Sequence, residues 1–270
     1  MRSTSARAAR FLSSVASIAL LAAAVAGCAS NGGGETTGSV MAAMATGPEG
    51  DWRRQADALA GRYRTNPQDP DVALDYAHAL RMTGQRAQAV AVLEQATIVH
   101  PNHRALLGAY GKALADNGNY QQALGVLGRA HTPEQPDWRI LSAQGAVLDQ
   151  MGRHGEAQRY YSSALKIVPD EPSVLSNLGL SYALSKDLRQ AETTLKRAAT
   201  GRTADPRVRQ NLALVVGLQG RFEEAESIAR ADLPPDEAAA NVEYLRQMLA
   251  QQGARKNAEP AAPRARNARS

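Results

Sequence analysis

WRILSAQGAVLDQMGRHGEAQRYYSSALKIVPDE, residues 138–171, decides the fold. It reads as helix, turn, helix. Leu141, Gly145 and Leu148 recur three and four apart in the first half, and Ala157, Tyr161, Ala164 and Leu165 in the second. That spacing is the period of an amphipathic helix. Gly152 stops the first helix and Pro169 the second. Neither helix can bury its apolar stripe alone, so the stretch requires copies of itself stacked on either side.

Copies recur every 34 residues. Gly152 has equivalents at Gly84, Gly118 and Gly220, with Lys186 as a departure. A small residue of the first helix recurs as Ala77, Gly111, Gly145, Gly179 and Ala213. An alanine of the second helix recurs as Ala89, Ala123, Ala157, Ala191 and Ala225. A later one recurs as Ala96, Ala130, Ala164 and Ala198, where the fifth copy has Asp232. This period with this small-residue pattern resembles the tetratricopeptide repeat family. The resemblance implies an all-α tetratricopeptide-repeat superhelix, right-handed, of five helix-turn-helix repeats plus capping helices. The repeats fall at residues 70–103, 104–137, 138–171, 172–205 and 206–239.

The residue types have physical reasons. Helix axes approach closely only where side chains are small, so Gly145 and Ala157 are expected to face each other. A larger side chain there would overpack at a cost of about 1–3 kcal/mol. Gly84, Gly118, Gly152 and Gly220 suit the left-handed conformation that ends a helix. Asp69-Pro70 and Asp205-Pro206 set a capping carboxylate before proline at the first helical position. Asp137 caps in the same way, Glu171-Pro172 is a weaker version, and His103 is a poor cap.

Outside the repeats, residues 1–27 read as a lipoprotein signal peptide. Arg2, Arg7 and Arg10 form a basic start, and residues 11–26 form an apolar run shorter than the about 20 residues of a membrane span. The run ends Val25-Ala26-Gly27-Cys28, which resembles the bacterial lipobox, and Cys28 is the only cysteine of the chain. An internal disulfide is therefore excluded. The resemblance implies that Cys28 is lipidated, carrying palmitate-type acyl chains. Two or more such chains give stable membrane anchoring. Ala29, rather than aspartate, follows the cysteine. By resemblance to lipoprotein sorting in diderm bacteria, this implies an outer-membrane, lipid-anchored, periplasm-facing protein. Residues 28–50 are rich in Gly, Ser, Thr and Ala and read as a flexible tether. Residues 51–69 read as an N-terminal capping helix ending at Asn66-Pro67. After Leu233-Pro234-Pro235, residues 236–252 read as a C-terminal capping helix, and 253–270 as a disordered basic tail.

The net charge of +5 is not that of the body. The first 27 residues hold three arginines and no acid. Residues 253–270 hold five bases against Glu259, which leaves residues 28–252 at about −2. Nucleic acid is not expected as a partner.

The residues suggest no enzyme, no small-molecule substrate and no cofactor. His100 and His103 sit close in sequence on a connecting turn, without the cysteine or carboxylate of a metal set. No nucleophile elbow or phosphate loop occurs. What remains is the concave surface of the stacked first helices, which is expected to bind proteins. By resemblance to peptide-binding repeats, the groove positions include Arg81, Lys112, Arg139, Arg207 and Gln210, together with Leu180, Leu184 and Leu214. The first three copies thus offer cations and the last two leucines.

The C-terminal third narrows the resemblance. NLGLSYAL (177–184), DPRVRQNLALV (205–215), GRFEEAE (220–226), ARADLPP (229–235) and NVEYLRQM (241–248) are similar to the TadD family of the tight-adherence (Tad/Flp) pilus secretion system. The resemblance is strong over residues 172–250. It implies an outer-membrane lipoprotein that assembles the pilus apparatus, acting as a pilotin-like factor on the secretin or on other Tad components. The other reading is a general envelope adaptor for outer-membrane protein insertion or peptidoglycan hydrolases.

Overall fold

The computed structural model describes residues 48–200 and 205–258. The expected signal peptide, Cys28, most of the expected tether and residues 259–270 lie outside the described residues. Among the described residues there are twelve helices and one isolated bridge, between Thr132 and Gln135. Helix α1, Pro48–Thr65, precedes five pairs. The pairs are α2 (Pro70–Met82) with α3 (Arg86–Val99), α4 (Arg104–Asp116) with α5 (Tyr120–Arg129), and α6 (Trp138–Gln150) with α7 (His154–Ile167). Next come α8 (Pro172–Leu184) with α9 (Leu188–Ala199) and α10 (Pro206–Leu218) with α11 (Phe222–Ala229); α12, Pro235–Ala258, closes the series.

Each helix packs on the next in chain order. Among the described residues the only further contacts between helices join α2 to α4, α4 to α6, α6 to α8, α8 to α10 and α10 to α12. First helices of successive pairs therefore touch, and second helices do not. The first-helix side is the inner wall of the array.

Caps and turns follow the repeat. Asp69, Asp137 and Asp205 accept backbone N–H bonds at the starts of α2, α6 and α10, the shortest being 2.7 Å from Arg139 to Asp137. Glu171 accepts from the Ser173 N–H at 3.4 Å. His103 departs from expectation, because its Nδ1 accepts from the Leu106 N–H at 3.3 Å and so does cap α4. A ring nitrogen with a free lone pair can do what a cap oxygen does. Each first helix ends on a left-handed residue at Gly84, Gly118, Gly152, Lys186 or Gly220. In each turn the next N–H bonds the carbonyl five residues back, as Asn119 does to Leu114 at 2.8 Å. This is the Schellman closure. Lys186, at φ 68°, keeps the closure with a side chain in place of glycine.

The close approach inside each pair differs in detail from the expected Gly145–Ala157 contact. A Cβ on Gly145 would lie 2.7–2.9 Å from the Tyr161 ring, while Ala157 is fully buried. Gly111 meets Leu127 and Gly179 meets Leu195 in the same register. Helical side chains lean toward their own N-terminus. The long residue one turn after each alanine therefore covers the glycine.

The ends also differ from expectation. Helix α1 begins three residues before 51. Helix α12 runs to Ala258, six residues past 252, because no proline interrupts it before Pro260. It docks through Leu245, whose Cδ2 lies 2.5 Å from where a Gly217 Cβ would stand. Asp232, at an otherwise apolar repeat position, pairs its carboxylate with Arg209, which holds the carboxyl below its ordinary pKa.

Candidate partner-binding cleft

The inner wall is not uniform. On α4 the wall-facing residues Ala105, Gly108 and Ala109 are small, and they form the floor of a cleft of about 880 Å³. Helix α2 supplies one side through Leu74, Asp75, His78 and Arg81, and α6 the other through Trp138, Arg139 and Ile140. Ile140 leans over the floor, since a Cβ on Gly108 would sit 2.8 Å from its Cδ1. Pro133 and Pro136 end α5 early and hold residues 131–137 as a loop, whose Gln135 and Asp137 form the rim.

Three of the residues expected on the groove meet here. Arg81 reaches across to Asp116, with Nε 2.6 Å from Oδ2. Arg139 stacks its guanidinium 4.4 Å from the centre of the Trp138 ring. Lys112 is half-buried between them. Burial holds its ammonium below the ordinary pKa, and the neighbouring Arg81 charge acts in the same direction. Among the described residues, neither Lys112 nor Arg139 has a carboxylate within ion-pair distance. Asp137, the nearest candidate, turns its carboxylate to the N-terminus of α6.

Arg207 and Gln210 do not join this group. Arg207 is exposed on the first turn of α10 and Gln210 is half-buried one turn on, both outside the cleft. Leu180, Leu184 and Leu214 are half-buried. From copy 3 onward, uncharged amide–hydroxyl hydrogen bonds join the first helices, where copies 1 and 2 have the Arg81–Asp116 ion pair. Asn177 Nδ2 donates to Ser142 Oγ at 3.3 Å, and Asn211 Nδ2 to Ser176 Oγ at 3.0 Å. Asp149 lies between copies 3 and 4 and accepts from the hydroxyls of Tyr161 at 3.0 Å and Ser181 at 2.7 Å, with His154 Nδ1 at 2.8 Å. Burial, and then the Asp149 charge, push the Tyr161 phenol far above its ordinary pKa.

Arg104 and Gln135 also belong to the cleft and are hydrogen-bonded to each other, though neither stood among the expected groove residues. The signal for them was the run of small residues on one face of α4, which leaves room at the wall. His100 Nε2 bonds the Gln68 carbonyl at 2.7 Å and ties the first pair to the loop before it. Among the described residues no group of three His, Cys, Asp or Glu could hold a metal ion. No described helix is long and apolar enough to cross a membrane.

Comparison with known proteins supplies the family. Models described as tetratricopeptide repeat match residues 74–137, 150–215 and 206–231. Cellulose synthase operon protein C of Xanthomonas axonopodis pv. citri is 28% identical over 59% of this chain and 11% of its own length. Protein y4yS of Sinorhizobium fredii is 33% identical over 38% of this chain and 57% of its own length. The chain thus spans little more than half, at most, of the curated relatives it matches. Among solved structures, PilW, described as a widely conserved type IV pilus biogenesis factor, aligns with a TM-score of 0.63. Its identity is 18%, over 75% of this chain and 95% of its own. PilF of Pseudomonas aeruginosa aligns with a TM-score of 0.52 at 18% identity, over 66% of this chain and 82% of its own. At such identities the structural likeness is one of fold. Repeat models over both halves of an array of five helix pairs identify the chain as a tetratricopeptide-repeat protein.

Proposed function

We propose that this protein is a non-catalytic, lipid-anchored scaffold for assembly of the Tad/Flp pilus secretion apparatus, held to the outer membrane through Cys28 and facing the periplasm. The inner wall receives a protein partner, the secretin or another pilus component, in the manner of a pilotin. The scaffold half rests on one observation: a cleft lined by Arg81, Arg104, Lys112 and Arg139 on the wall of a body whose net charge is about −2. The pilus half rests on the sequence of residues 172–250. A shared fold with a protein described as a type IV pilus biogenesis factor is consistent with it.

The test is capture from detergent-solubilised envelopes with the tagged, lipidated chain. Recovery of a secretin with Tad components supports the reading. Recovery of barrel-insertion machinery or murein hydrolases transfers it to the general adaptor. A Cys28→Ala chain that still sediments with outer membranes and still supports piliation removes the anchor from the reading.

A further inference from the structure

We propose that the cleft between α2, α4 and α6 takes an acid-bearing, partly apolar peptide segment of a partner protein, with side-chain carboxylates seated on Lys112 and Arg139. This names the chemistry of the partner and rests on the scaffold reading only in taking that partner to be a protein.

The charges of the cleft divide into those already answered and those not. Arg81 is committed to Asp116, while Arg104 has a donor on the neutral amide oxygen of Gln135 and keeps its charge. Asp137 caps α6, and Asp75 is exposed at the side of α2. Lys112, one turn beyond Gly108 on α4, and Arg139 on α6 are the Lys and Arg side chains of the cleft with neither a hydrogen bond nor an ion pair among the described residues. The Lys112 ammonium feels Asp137 and Asp116 only from beyond contact distance, so burial has cost it hydration without a hydrogen-bonded partner, and an incoming carboxylate restores that loss through a charge-assisted hydrogen bond. Arg139 is held in place by stacking on Trp138, so its donors are presented with less ordering left to do.

The rest of the lining selects the occupant. Leu74, Ala105, Ala109 and Ile140 give apolar surface beside the two cations. A bare inorganic anion would leave that surface uncovered. A nucleic acid would call for a basic stripe along the body, whereas the body is slightly acidic. The chain's own tether does not fit, since residues 29–47 hold one acid, Glu35. The about 880 Å³ of the cleft lies within the about 300–1,000 Å³ usual for ligand sites.

The experiment uses the full chain in detergent and a labelled, C-terminally amidated peptide repeating Ala-Glu-Leu-Glu, read by fluorescence anisotropy. Replacing Glu by Gln in the peptide is expected to weaken binding at least tenfold on the unaltered protein, which needs no variant to fold. Lys112→Met is expected to weaken the acidic peptide about tenfold and Lys112→Met/Arg139→Met further, while Arg207→Met leaves it unchanged. Equal binding of the Gln peptide, or undiminished binding by a folded double variant, overturns the proposal. So does self-association of the chain that the double variant abolishes, because the occupant is then a second copy. Loss of peptide selectivity with secretin capture intact refutes the cleft chemistry alone. Retained selectivity with no pilus component captured refutes the pilus reading alone.

Discussion

Between copies 1 and 3 the inner wall is open over Ala105, Gly108 and Ala109 and carries Lys112 and Arg139 with no ion pair among the described residues. Between copies 3 and 5 it is closed by Asn177–Ser142 and Asn211–Ser176 hydrogen bonds, with half-buried leucines along it. The backbone underneath is the same in both stretches. The turn closures repeat from Gly84 to Gly220, and a long side chain covers the small residue of the first helix at Gly111 as at Gly179. The positions that build the pair are constrained by volume and by left-handed backbone. The positions that face outward along the wall are not, and there the two stretches have diverged. Shape is shared along the array, and recognition chemistry is local to part of it.

The strongest way to break this comparison is at the joint. Asp149 is the carboxylate that answers Tyr161, Ser181 and His154 across copies 3 and 4. Asp149→Ala leaves two buried hydroxyls without an acceptor and should cost about 3 kcal/mol, read from the denaturant midpoint at constant slope. A loss within error of zero would mean that the two stretches do not depend on this network.

Next in size, Gly111→Ala and Gly179→Ala place a Cβ 2.5–2.6 Å from a leucine Cγ in each stretch. Both should cost about 2 kcal/mol, and by similar amounts. A large inequality in calorimetric unfolding would show that the shared scaffold is not shared in energy.

A third effect belongs to the C-terminal stretch alone. Lys196, then Gln219 and Arg221, hold the Glu192 carboxyl down to about 2. A carboxyl with a depressed folded-state pKa contributes stability above its unfolded value near 4.5, and loses it as pH falls from there toward about 2. About 1 kcal/mol should disappear over that window. Glu192→Gln should flatten that part of the stability profile, and an unchanged acid limb would count against the network.

The smallest effect marks where copy 4 departs from its neighbours. Lys186→Gly should gain about 0.5 kcal/mol by relieving the left-handed backbone, whereas Gly152→Ala should lose about 1 kcal/mol. Thermal scans on the two variants, moving in opposite directions, check the pair.

The pairs were legible in the sequence because volume at Gly145, Gly179 and Ala191 and backbone sign at Gly84 and Gly152 are local demands, repeated often enough to be seen. Part of the cleft was legible too. Arg81, Lys112 and Arg139 followed from repeat positions. Arg104 and Gln135 did not, because their place depends on the early end of α5 at Pro133 and on empty space over α4. Space is a property of three helices together. Arg207 and Gln210 satisfied the same positional rule and still lie apart, since on α10 the neighbouring wall is closed. The Asp149 network was hidden for a related reason: its four members come from three helices, and none has a repeat-wide equivalent.

A copy touches only its neighbours, and in such arrays units can be gained or lost without refolding the remainder. The body therefore tolerates duplication unequally along its length. A 34-residue unit copied in between α9 and α10 would lengthen the chain and leave the cleft as it stands. The same unit copied in between α5 and α6 would fold as well, yet would carry Arg139 and Trp138 one step away from Lys112. The fold would inherit either change, and the recognition surface only the first.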